Sequence, residues 1–173
     1  MEKLLDSIKK YGYFYDVVHE KYWSDKKFVL KAVKVNGNYL KYASKELQND
    51  KEIVHEAVKK NGLALEYASK ELQNDKEIVL EAIKNDVGSL YFASNELKNN
   101  REIVLVAVKN NGLALRYASV KLRNDKKLIM RALKSILFVN YSEYKTDNNE
   151  FNHNIKFDEF CLKESFDKIL EFY

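Results

Sequence analysis

The chain has 173 residues, 46% hydrophobic and 32% charged, with a formal net charge of +4. This composition excludes a disordered chain, the longest apolar stretches are far short of the roughly 20 residues of a membrane span, and the modest charge does not by itself demand nucleic acid. A single cysteine, Cys161, excludes an internal disulfide; with no secretory h-region in MEKLLDSIKKYGYF, a reducing cytoplasmic setting is expected.

Self-similarity organises the chain from its beginning. IKKYGYFYDVVHEKYWS, ending at Ser24, aligns with VKKNGLALEYASKELQN two periods later. Residues 1–24 therefore read as a degenerate N-terminal cap. Its rings Tyr11, Tyr13, Phe14, Tyr15, Tyr22 and Trp23 are expected to seal an array end, with a second contact site as the alternative. Four full copies of 25 residues follow without insertion: 25–49, 50–74, 75–99 and 100–124. A partial copy, 125–140, opens as DKKLIMRALK and then decays.

Each copy predicts two helices. Ile53, Val54, Ala57 and Val58 form one helical stripe, repeated as Phe28, Val29, Ala32, Val33 and onward through the array. Asn49 is the expected N-cap, with Glu52 three residues on as in a capping box and Asp50 in the first turn. Gly62 is expected to end the helix in a left-handed conformation. A second helix would then place Leu65, Ala68 and Leu72 on one face beside Tyr67. Helices this short, about 15 Å, are marginal alone and must stabilise one another by stacking.

Two units depart from the pattern. Val87 stands where the others carry glycine and Gly88 comes one residue late. The expectation is that the turn shifts to give Gly88 the left-handed position, which a β-branched residue resists. In the partial copy Ile136-Leu137 replaces Asn-Gly, so its helix should run on past Ser135 towards Val139. Residues 141–154 read as a polar linker. Residues 155–173 read as an amphipathic helix, with Leu162, Phe166, Ile169, Leu170 and Tyr173 on one stripe; it is expected to fold back as a lid, with partner binding as the alternative.

The unit NDKEIVLEAVKKNGLALEYASKEL resembles the tandem repeats known as domain of unknown function 4116, over about Asp25–Met130 and weakly over the N-terminal copy. The resemblance implies an α-helical repeat fold. It brings no catalytic residues, and such repeats occur in bacteria, their mobile elements and large DNA viruses of protists.

No enzyme motif is present: there is no phosphate-cradling glycine loop, CxxC pair or HExxH. His19, His55 and His153 are scattered, and His55 takes a place that is Leu or Met elsewhere, so a partly buried helix residue is expected rather than a metal ligand. Ser44, Ser69, Ser94 and Ser119 recur inside the second helix as backbone-bonded small residues. The expectation is a non-enzyme with no cofactor and no metal.

Two surfaces carry the functional reading. Lys34, Lys59, Lys84, Lys109 and Lys134 form one row, and Lys26, Lys51, Lys76, Arg101 and Lys126 another. A phosphate backbone could follow such rows, although the helix dipole also favours the first. Positions that vary between copies lie at i, i+4, i+7 of the second helix: Lys41, Lys45 and Gln48; Glu66, Lys70 and Gln73; Tyr91, Asn95 and Lys98; Arg116, Val120 and Arg123. Tyr91, Arg116 and Val120 are the most interface-like of them. The fold expected is an all-α solenoid. The function expected is a macromolecular binding scaffold with Lys41, Glu66, Tyr91, Asn95, Arg116 and Val120 at the partner face. By analogy this would be a viral or prophage accessory protein or an inhibitor of a host assembly. A nucleic-acid or nucleoprotein binder using the rows of Lys and Arg, with Lys34, Lys59, Lys84, Lys109 and Lys134 as the contacts, and a structural subunit of a larger particle are the alternatives; no membrane or small-molecule partner is expected.

Overall fold

The structure is a computed structural model that describes residues 20–147. The N-terminal rings before Glu20 and the C-terminal helix expected over 155–173 lie outside the described residues. Those described form an all-α repeat. Each unit has a long helix, α1 (Lys26–Val35), α2 (Lys51–Lys60), α3 (Lys76–Asn85) and α4 (Arg101–Asn110), followed by a 3-10 helix and a short turn. The last helix, α5 (Lys126–Asp147), runs through Ile136-Leu137 as expected and continues over Tyr141–Asp147. The first part of the segment read as a linker is thus helical: YSEYKTD contains no glycine or proline to stop a helix already under way.

The long helices are capped one residue later than expected. Asp50, not Asn49, is the N-cap, its carboxylate accepting from the amides of Glu52 at 3.0 Å and Ile53 at 3.2 Å. Asp75 and Asn100 repeat this geometry. Asn49 is engaged elsewhere: its side-chain oxygen accepts from the Ser69 hydroxyl of the next unit.

The helix ends also differ from expectation. Asn61 leaves α2 with extended backbone, φ −149° and ψ 110°, and Gly62 opens the 3-10 helix Gly62–Tyr67. None of the described glycines has a positive φ. Glycine is needed here for closeness. A Cβ on Gly62 would lie 2.4 Å from the carbonyl oxygen of Ala82 in α3, and one on Gly37 or Gly112 would lie 2.2 Å from that of Ala57 or Ala132. Val87 occupies the same place in the third unit, opening its 3-10 helix Val87–Phe92, and Gly88 simply follows it. The shift of Gly88 to a left-handed turn does not occur, because the position never required one. A valine cannot make the glycine's approach, and α3 packs less extensively on α4 than α2 does on α3.

The second helix is divided in two. After Gly62–Tyr67 the chain turns extended at Ala68, φ −68° and ψ 156°. Ser69 then caps the next turn, its hydroxyl accepting from the Leu72 amide at 3.2 Å. The other units do the same at Ala43, Ala93 and Ala118. The break frees an amide for the preceding unit: Ser44, Ser69 and Ser94 donate to the carbonyls of Trp23, Gln48 and Gln73 at 2.9 Å, and Ser119 donates to that of Lys98 at 3.0 Å. The serines are caps and cross-unit links rather than residues within a helix.

Each long helix packs on the next long helix, and each 3-10 helix on the next 3-10 helix, so the core is a continuous layer between the two rows. Ile53, Val54, Ala57, Val58 and Leu65 and their counterparts in the first and third units are fully buried in it, whereas in the fourth unit Leu115 is half-buried. At the N-terminal end Trp23 covers the first unit, its ring edge-on to Phe28 at 5.3 Å.

Two consequences are measurable. Leu65→Ala should destabilise the protein by about 2–5 kcal/mol, as expected for an unfilled core cavity. Gly62→Ala should destabilise it by about 1–3 kcal/mol through overpacking against a backbone carbonyl, while Gly88→Ala, which meets mainly side-chain atoms, should cost less. Urea unfolding of the three variants checks both.

Candidate interaction surface

The second cationic row is consumed by the fold from Lys26 to Arg101. Lys26 bridges Asp50 at 2.8 Å and Glu52 at 2.9 Å, both in the following unit. Lys51 bridges Asp75 at 2.9 Å and Glu77 at 2.8 Å. Lys76 reaches Glu102 at 2.8 Å, and Arg101 reaches Asp125 at 3.3 Å. Burial pushes the carboxyls of Asp50 and Asp75 up, but hydrogen bonds from the lysine and from the capped amides outweigh it and hold both below the usual range. The repeated DKE string therefore encodes a ladder of cap and ion pair.

The first row is exposed throughout: Lys34, Lys59, Lys84, Lys109 and Lys134 all face solvent. It is partly neutralised, Lys34 lying 3.8 Å from Glu56 and Lys84 3.0 Å from Glu81. His55 is half-buried within α2. His19, His153 and Cys161 lie outside the described residues.

The variable positions occupy two segments instead of one helix face. Lys41, Glu66, Tyr91 and Arg116 are exposed on the 3-10 helices, while Asn95 and Val120 are exposed at the start of short turns. The fold nonetheless brings the ends of the set together. The Gln73 side-chain amide returns to donate to the carbonyls of Leu65 at 3.0 Å and Glu66 at 3.1 Å. Gln48 does the same for Leu40 and Lys41. Both glutamines are buried. They clamp the end of the 3-10 helix, and their expected place on an exposed reading face is corrected.

The third and fourth units put Lys98 and Arg123 in the clamp position. Lys98 Nζ lies 5.3 Å from the centre of the Tyr91 ring, and burial together with the neighbouring Lys70 ammonium pushes its pKa down. The Nε of Arg123 is buried without a hydrogen-bond partner. Tyr91, 60% exposed, meets Phe92 edge-on at 5.2 Å and Tyr117 at 6.0 Å. Arg116 lies over the Tyr117 ring at 4.6 Å and donates to its hydroxyl. Val120 is 64% exposed. An aromatic and cationic patch is thus centred on the third and fourth units of the array. Sequence reasoning found Tyr91 and Arg116; the missed signal was the change from Gln48 and Gln73 to Lys98 and Arg123.

The tandem organisation and helical pairing have a counterpart among known proteins. The family model described as a domain of unknown function (DUF4116) matches residues 1–48, 50–98, 87–123 and 100–142. The chain belongs to this family. The DUF4116 matches extend over the N-terminal segment as well as the regular units. No curated protein and no solved structure matches the chain. Among the described residues no helix is long and apolar enough to cross a membrane.

The ladder predicts acid sensitivity. Because the folded carboxyls of Asp50 and Asp75 titrate below their unfolded values, their contribution is present above about pH 3.9 and is lost as pH falls through the lower folded values. The urea midpoint should fall between about pH 6 and pH 3. Asp75→Asn should flatten this fall while keeping the cap, as Asn100 does in the fourth unit. An unchanged slope would show that Asp75 does not contribute in this way.

Proposed function

We propose that the protein is a non-catalytic macromolecular binding scaffold whose partner docks along the variable positions of the repeat. The observation that carries this reading is a division of labour among repeated and variable residues. The repeated aspartates, serines, glycines and second-row lysines are used to cap, link and pack the units. The positions that change from copy to copy, Lys41, Glu66, Tyr91, Arg116, Asn95 and Val120, are exposed. A rigid array with side chains that differ from unit to unit can recognise an extended partner by surface complementarity. The partner we favour is a protein, and a cytoplasmic accessory role against a host assembly fits the settings of such repeats.

Tyr91→Ala combined with Arg116→Ala should remove a protein partner recovered from the native host's lysate while leaving far-UV circular dichroism unchanged. Unchanged recovery would count against this face.

A second reading, nucleic-acid binding, is favoured by one feature. Lys126, Lys127, Arg131 and Lys134 gather with Met130 around an open depression on α5, where the ends of both cationic rows, Lys134 and Lys126, meet. It predicts steep salt dependence of oligonucleotide binding, with a log–log slope that falls by roughly one for each phosphate-contacting lysine removed. If Lys59→Ala with Lys84→Ala leaves that slope intact, the row does not contact phosphate.

A further inference from the structure

The clamp position distinguishes two halves of the array. In units 25–49 and 50–74 a buried glutamine amide satisfies two backbone carbonyls, a complete local arrangement. In the next two units that amide is replaced by the cations Lys98 and Arg123, each partly removed from water. Arg123 Nε is left without a partner, and the charge acting on Lys98 is another cation, Lys70. A desolvated polar group without its partner carries an energetic cost, and departures from an otherwise consistent local rule concentrate at functional positions. The same two units present the exposed ring of Tyr91, which meets Tyr117 across the unit boundary, at the junction where Val87 replaces the close-packing glycine.

We infer that the patch formed by Tyr91, Lys98, Arg116, Tyr117 and Arg123, with Lys70 at its edge, is a docking site for an acidic peptide segment of a protein partner. Carboxylates of the partner would hydrogen-bond the Lys98 ammonium and offset the charge of the half-buried Arg123 guanidinium, and an apolar side chain between them would cover Tyr91. Charge complementarity selects this occupant. Lys98 and Arg116 already lie over the tyrosine rings, so a nucleobase would have to displace them to stack, whereas a carboxylate adds to them from outside. The inference rests on the scaffold reading and specifies its partner.

The test uses the full chain, labelled with nitrogen-15, and three probes: a peptide of repeated Glu-Glu-Leu, a peptide of equal length with Gln in place of Glu, and oligothymidylate. The expected result is saturable binding of the acidic peptide, stronger than that of the Gln peptide, with amide shifts confined to 87–98 and 112–123. The double variant Lys98→Gln with Arg123→Gln restores the residue found in the first two units, so it should fold with an unchanged circular dichroism spectrum. It should bind the acidic peptide about tenfold or more weakly. Equal binding by the double variant, no preference for the acidic peptide, or tighter oligothymidylate binding at the same amides would each overturn the inference. If the double variant still recovers the protein partner that the unaltered chain recovers from host lysate, the patch assignment falls while the scaffold reading stands.

Discussion

Among the described residues, neighbouring units share backbone hydrogen bonds and one continuous core. The serine amide of each full unit donates to a carbonyl of the unit before it, and in the first, second and fourth units the glycine that opens the 3-10 helix lies against a carbonyl of the unit after it. These two contacts fix the other features. The serine link requires the chain to leave helical geometry at Ala43, Ala68, Ala93 and Ala118, which is why the second half of each unit is a 3-10 helix and a short turn. The glycine contact is made to the backbone carbonyls of Ala57, Ala82 and Ala132, which hold one place in the long helices. The ion pairs from Lys26, Lys51, Lys76 and Arg101 repeat the same logic at the solvent edge, each reaching into the following unit. Exposed pairs of this kind are worth little singly, so the packed layer beneath them supplies most of the stability.

The period, the helical character and the long-helix stripe were legible in the amino-acid sequence, because a strict 25-residue repeat with apolar residues at helical spacing has few other solutions. What was not legible were contacts between units. Gly62 looked like a helix stop because a glycine after a helix usually is one; its reason is a carbonyl belonging to α3. Ala68 and Ser69 looked like ordinary interior positions because the carbonyl that accepts from the Ser69 amide lies 21 residues back. Asn49 and Asp50 are both good caps, and local preference could not choose between them. Gln48 and Gln73 read as surface residues for the same reason: the carbonyls they bind are brought to them by the bend at the alanine.

The candidate surface was legible in outline. Variation between copies picked out Tyr91 and Arg116, and both are exposed beside each other's units. The physical interest of the patch came from a comparison that only the structure permits. Where two units close a 3-10 helix with a neutral amide, the next two place cations there, and the polar cost of that exchange points to a ligand that would offset it.

The central claim is that the units are stitched by the serine amides. Native-state hydrogen exchange of the backbone amides of Ser69, Ser94 and Ser119 tests it most directly. These amides should exchange only through cooperative opening of neighbouring units, with protection close to that of the buried α2 and α3 amides. Exchange at rates typical of exposed loops, with the long helices still protected, would contradict the account.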